Sequence, residues 1–151
     1  DLTSYAIPYD YALICVDEDL SDYGMFGLGI CLDSYIENNG TVIVAGFPQE
    51  YPDGYDNVDY GLRFKAVGNI TGSENNGKNI LYNADTIGGD SGGPVYVNES
   101  YIDIEHNLSY DYNTVIAINV AENSSQMINK GVRINFDIMR FCYQNSYLTA
   151  S

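Results

Sequence analysis

Thr86-Ile87-Gly88-Gly89-Asp90-Ser91-Gly92-Gly93-Pro94 is the stretch on which the reading of this chain turns. Glycine at this density weakens any helix or strand, so a chain keeps it where the backbone turns sharply or comes very close to another group. Such a turn leaves the Ser91 hydroxyl exposed and frees the amides of Gly89 and Ser91 to point at one oxygen. A hydroxyl nucleophile beside two convergent N–H donors suits acyl transfer. The plain alternative is a glycine-rich loop that carries an ordinary serine.

Working outward, the segments around this turn read as short strands. Val95-Tyr96-Val97 begins one directly after it, and Thr114 to Val120 is an inner strand. Gly131 to Asn135 is expected to be the last strand, after a polar loop from Glu122 to Lys130. Upstream, Thr41 to Gly46 is β-branched and stops at Phe47-Pro48, and Leu62 to Val67 alternates so that Arg63 and Lys65 face outward. Gly72 to Lys78 is a polar turn with an Asn76-Gly77 hairpin signal, and Asn79 to Asn83 returns from it. Gln49 to Asp59 reads as a loop with a Pro52-Asp53-Gly54 turn. Phe136, Ile138, Met139, Cys142 and Tyr143 have helical spacing, which predicts a short amphipathic C-terminal helix. Many short strands with glycine turns and one terminal helix argue for an all-β barrel or sandwich.

The remaining segments are less regular. Asp10 heads the continuous apolar run Ala12 to Val16, which is strand length and reads as buried. Asp17 to Gly29 is acidic, then glycine-rich, and reads as a loop or linker, with a lobe boundary expected between Asp17 and Asn39. Asn98 to Asn113 is a polar, tyrosine-rich surface hairpin holding His106, the single histidine of the chain. His106 with Asp103 and Glu105 reads as a group of solvated residues, not as a metal site or substitute base.

Composition narrows the function classes. The 151 residues carry 21 acidic against 6 basic side chains, a net charge of −15. Such a surface repels phosphate backbones, which argues against nucleic-acid and anionic-membrane partners. No apolar stretch approaches the roughly 20 residues needed to span a bilayer. The sequence begins Asp1-Leu2-Thr3, from which a start trimmed upstream is expected. The three cysteines, Cys15, Cys31 and Cys142, have no metal-ligand spacing, and no cofactor is implied.

The string Gly89-Asp90-Ser91-Gly92-Gly93-Pro94 resembles the nucleophile motif of the chymotrypsin-like serine endopeptidases, and the wider chain is most similar to their glutamyl-endopeptidase branch. Asp10 within Tyr9-Asp10-Tyr11-Ala12-Leu13-Ile14 resembles the family's catalytic-aspartate motif. The resemblance implies a two-barrel fold, of which this chain holds the last strand of the first barrel (1–16), the linker (17–40), the second barrel (41–135) and the C-terminal helix and tail (136–151). It further implies a serine endopeptidase, secreted and matured from a zymogen as a heterodimer, with this chain as its heavy chain. A light chain or N-terminal segment of the same precursor would complete the first barrel and bring the catalytic histidine. By the same resemblance Ser91 is the nucleophile, Asp10 orients the histidine, and the Gly89 and Ser91 amides form the oxyanion hole. Asp90, where glutamyl endopeptidases carry Asn, is expected to pair with a new amino terminus released by activation.

For substrate preference, the resemblance puts the walls of the primary pocket at Asp85 to Gly89, Asn119 to Glu122 with Val120 and Ala121, and Gly131 to Arg133. Asp85 points to Arg or Lys before the scissile bond, and this is the reading adopted. Thr86 points instead to Glu or Asp, with Asn119 in place of the family's pocket histidine. Arg133 would neutralise Asp85 or meet an acidic substrate group. Cys15 is expected as a core thiol, and Cys31 as a disulfide partner of either the preceding chain or Cys142. A competing function is a non-catalytic homologue that keeps the barrel as a binding module. An α/β-hydrolase esterase is disfavoured, because a strand and not a helix follows Ser91.

Overall fold

The computed structural model describes residues 7–48, 63–105, 107–123 and 128–146. The predicted loop with its Pro52-Asp53-Gly54 turn, His106, and residues 124–127 of the polar loop before Lys130 lie outside these residues.

Nine strands form. They are β1 (Gly27–Leu28), β2 (Thr41–Gly46), β3 (Phe64–Glu74), β4 (Asn79–Tyr82), β5 (Pro94–Val97), β6 (Tyr101–Asp103), β7 (Leu108–Tyr110), β8 (Thr114–Asn123) and β9 (Ile128–Arg133). Two helices, α1 (Asp33–Glu37) and α2 (Phe136–Ser146), complete the fold with two short 3-10 turns near the N-terminus. The strands β5-β2-β3-β4-β9-β8 pair in that order, and the β8–β5 ladder closes the sheet into a six-stranded barrel. Closure leaves no open edge, and β1 adds in parallel to the start of β8.

The barrel forms because alternate residues of these strands are apolar and meet inside it. Val42, Val44, Ile70, Ile80, Tyr82, Val95, Val97 and Ile116 are all essentially inaccessible to solvent. Burying each aliphatic side chain contributes roughly 1.5–3 kcal/mol. A second cluster, Val132, Ile134 and Ile138 with Tyr11, Met139 and Cys142, seats α2 against the barrel. Asn135 Oδ1 accepts from the Ile138 amide at 3.0 Å and so caps the first turn of α2.

The sequence reading holds for β2, β8 and α2. The last strand starts at Ile128, inside the expected polar loop, and stops at Arg133, because Ile128 and Asn129 pair with Asn123 and Glu122. The reading departs from the structure in four further places. β3 runs to Glu74, past the expected turn, because Gly72 to Glu74 pair with Leu81 to Asn79. The hairpin itself is the expected one: Asn75, Asn76 and Gly77 have φ of 54°, 56° and 75°. The expected loop of the linker contains α1, held by Tyr35, which is 2% exposed and packs edge-on against Tyr101 and Tyr110. The tyrosine-rich hairpin β6–β7 is therefore docked rather than wholly solvated: the Tyr110 hydroxyl donates to Ile30 C=O at 2.8 Å, and Ser34 donates to Asp103 at 2.6 Å.

The fourth departure concerns Ala12 to Val16. The run is not a buried strand: Ile14 is 83% and Val16 55% exposed, and none of the described strands pairs with it. A single extended segment has no ladder to join unless a neighbouring strand offers one. Cys15 is accordingly exposed and not a core thiol.

Candidate active site

The glycine run forms a double turn between β4 and β5. The Asp90 amide donates to Ile87 C=O at 3.1 Å, and the Gly93 amide to Asp90 C=O at 3.0 Å. The turn is stitched to β8 by Gly92 N–H to Asn119 C=O at 2.7 Å and by Asn119 N–H to Gly93 C=O at 2.9 Å. Gly93 lies so close to β2 that an added Cβ would meet the Ala45 carbonyl oxygen at 2.3 Å. Gly89 has φ 108°, a conformation L side chains rarely adopt. Ser91 is exposed at the apex. Among the described residues the amides of Asp90, Gly92 and Gly93 have backbone acceptors, and those of Gly89 and Ser91 have none.

Beneath the turn lies a buried polar relay. Asn119 is 3% exposed; its Nδ2 donates to Asp90 C=O at 3.0 Å and its Oδ1 accepts from the Tyr82 hydroxyl. Burial pushes the Tyr82 phenol well above its ordinary value, with the nearby Asp90 carboxylate adding to the effect. The β-bulge between Asn119 and Ala121 re-aims β8 where it passes the turn. Asn119 thus braces the serine turn from below.

Asp90 is 7% exposed. Its Oδ2 accepts from the Ile87 amide at 3.1 Å, whereas its Oδ1 is buried without a partner among the described residues. An unpaired buried carboxylate oxygen is costly, and a cation or further donor would relieve it.

Ser91, Gly89 and Asp90 share a cleft of about 500 Å³ with Phe26, Phe47 and Arg63. Asp85, exposed, lies on a smaller hollow of about 150 Å³ that also touches Asp90 and Lys65. Thr86 is buried, and Val120 and Ala121 are half-buried on β8. Asp10 is exposed at the end of the first 3-10 turn, and it does not line the Ser91 cleft. Its neighbour Tyr11 packs edge-on against Phe141 of α2.

Arg133 stands apart from the site. Its Nε donates to Cys31 C=O at 2.9 Å, its guanidinium reaches Gly77 C=O at 3.3 Å, and it pairs with Asp33 at 2.8 Å. A guanidinium engaged this way anchors the linker to the barrel and neither neutralises Asp85 nor reaches the Ser91 cleft. Cys31 is buried beside it, its thiol pushed up to about 12 by burial despite the opposing pull of Arg133. All three cysteines are free, so no Cys31–Cys142 bridge forms. Arg63 and Phe47 at the cleft were legible only as an outward strand residue and a strand stop. The pairing of Tyr82 with Asn119 has no signal in the sequence.

Comparison with known proteins bears on the whole chain. The family described as Trypsin matches residues 2–140. No curated protein matches the sequence significantly. Among solved structures, a Glu endopeptidase in complex with MPD superposes with a TM-score of 0.68 at 18% identity, over 99% of this chain and 59% of that one. The chain therefore spans little more than half the length of that enzyme, and at this identity the likeness is one of fold. A closed barrel, a terminal helix and a family match covering most of the residues agree: this chain belongs to the trypsin family of chymotrypsin-like serine proteases.

Proposed function

We propose that the chain is the nucleophile-bearing part of a secreted serine endopeptidase matured into two chains. One observation carries this reading: an exposed Ser91 hydroxyl on a pinned turn, flanked by the two amides that lack backbone acceptors, Gly89 and Ser91. Amides held in place without an acceptor are preorganised for the oxyanion of a tetrahedral intermediate, and they reorganise little when it forms. Ser91 Oγ attacks the scissile carbonyl, a histidine takes its proton and returns it to the leaving amine, and Asp10 fixes the histidine tautomer. The histidine comes from a segment beyond the described residues, the light chain or N-terminal part of the same precursor. The exposed apolar run Leu13 to Val16 fits this, as the last strand of a barrel that such a segment completes.

Asp90 extends the reading to activation. Its orphaned Oδ1 suits the α-ammonium of a newly cut chain, and pairing there would lock the oxyanion turn. Asp90→Asn should then lower activity about tenfold or more while leaving the thermal midpoint nearly unchanged. Unchanged activity would rule this role out.

For the residue before the scissile bond, Glu or Asp is the better supported preference. Thr86 and the likeness to a Glu endopeptidase support it. Asp85, which would select Arg or Lys, is exposed and shares its hollow with Lys65. Cleavage of a peptide library decides between them. The primary test is fluorophosphonate labelling of the full-length protein. Labelling at Ser91, abolished in Ser91→Ala, is expected; absence of labelling would favour the binding-module alternative.

A further inference from the structure

The cations of this acidic protein are distributed unevenly with respect to Ser91. Of its 6 basic residues, Lys130 pairs with Glu74, Arg133 with Asp33 and Arg140 with Asp137, while Lys78 lies over the Tyr9 ring. Arg63 and Lys65 alone have no such partner among the described residues. Both are exposed, and two-residue spacing along an extended segment sets them on the same side. Arg63 lines the Ser91 cleft and also a second hollow of about 470 Å³, which contains Lys65, Tyr23, Met25 and Tyr96. The two hollows meet along Phe26, Ala45 and Arg63, so one groove runs from Ser91 past Arg63 toward Lys65.

Among the described residues the one carboxylate of the Ser91 cleft, that of Asp90, is buried and turned to the Ile87 amide, so it does not satisfy Arg63. Of the segments assigned to the primary pocket, Asp85 to Gly89 and Asn119 to Ala121, the Arg63 cleft contains Gly89 alone. A peptide whose carbonyl sits at Ser91 and whose preceding residue fills that pocket must send its following residues to the other side, along the groove.

We propose that Arg63, with Lys65 beyond it, is a specificity site for an acidic side chain on the leaving-group side of the scissile bond. This rests on the endopeptidase reading above. At long range the net charge of −15 repels an acidic substrate, and the two cations at the groove reverse that locally. Because the pair formed is solvent-exposed, the gain is modest, about fivefold per charge, and it weakens with salt.

The test uses the full-length protein, with its histidine-bearing segment, and peptides identical before the cleaved bond. The three positions after it carry Glu, Ala or Lys in turn. At one of these positions kcat/KM should fall about fivefold from Glu to Ala and again from Ala to Lys. Arg63→Glu should invert that order, and Arg63→Ala with Lys65→Ala should flatten it. Fluorophosphonate labelling of Ser91 and the ranking of residues before the bond should stay unchanged in these variants. Equal kcat/KM across all positions in the wild type overturns the proposal, as does a preference that survives the double variant. Lost labelling in Arg63→Ala overturns it too, since the arginine would then hold the site or a neighbouring segment together. Wild-type protein that neither labels nor cleaves fails the endopeptidase reading itself, an outcome distinct from cleavage without preference.

Discussion

Tyr82→Phe isolates the relay under the serine turn. Tyr82 is fully buried, and the substitution keeps its ring, so no cavity of consequence opens. What is lost is the hydroxyl that donates to Asn119 Oδ1. A net hydrogen bond contributes about 1 kcal/mol, and leaving Asn119 Oδ1 buried without a donor adds about 1 kcal/mol or more. The expected destabilisation is therefore about 2 kcal/mol, a shift of about 1 M in the urea midpoint for a protein of this size. Asn119→Ala removes the same bond together with the Asn119 Nδ2 contact to Asp90 C=O. A double-mutant cycle between positions 82 and 119 should show a coupling of about 1 kcal/mol or more. Because Asn119 also braces Asp90, Tyr82→Phe should slow fluorophosphonate labelling of Ser91 about tenfold, through a displaced turn. A cost below about 0.5 kcal/mol together with full additivity would refute the relay as the brace of this turn.

Alkaline pH should weaken the fold. Burial raises the Cys31 thiol to about 12 and also raises the phenols of Tyr35, Tyr82 and Tyr110. The folded state thus holds these protons more tightly than the unfolded chain. The stability this contributes is complete below the unfolded values, roughly 8.5 for Cys and roughly 10 for Tyr, and is lost as pH rises above them. The thermal midpoint should fall steeply above about pH 10, with these three of the 15 tyrosines ionising, by absorbance, only as the fold is lost; a midpoint flat to pH 11 contradicts this. Thiol reagents should separate the cysteines: Cys15, exposed in this chain, should react until the segment proposed to complete the first barrel covers it, whereas Cys31, buried within the chain, should react only after unfolding. Equal rates for the two would count against the described packing of the linker.

Much of the fold was legible because its signals are local. Consecutive β-branched residues mark β2 and β8 as inner strands, and the glycine run around Ser91 records backbone conformations that few other residues adopt. The five residues of α1 carry no usable periodicity; Tyr35 holds that helix through Tyr101 and Tyr110, which lie far away in sequence. The apolar run Ala12 to Val16 has the composition of a strand, but a ladder needs a neighbour.

The same division runs through the site. The residue string alone put Ser91 on a glycine turn between the amides of Gly89 and Ser91, because this depends on residue type and short spacing, whereas the roles proposed for Ser91 and Asp10 rest on the family resemblance. Tertiary structure decided which way the side chains of β8 and β9 point and what they meet. It turned Arg133 to the linker carbonyls and Asn119 to Tyr82, and it put Arg63 at the cleft without an ion-pair partner among the described residues. In a closed barrel, register and bulges set the face each residue shows, and these arise from pairings between segments distant in the chain.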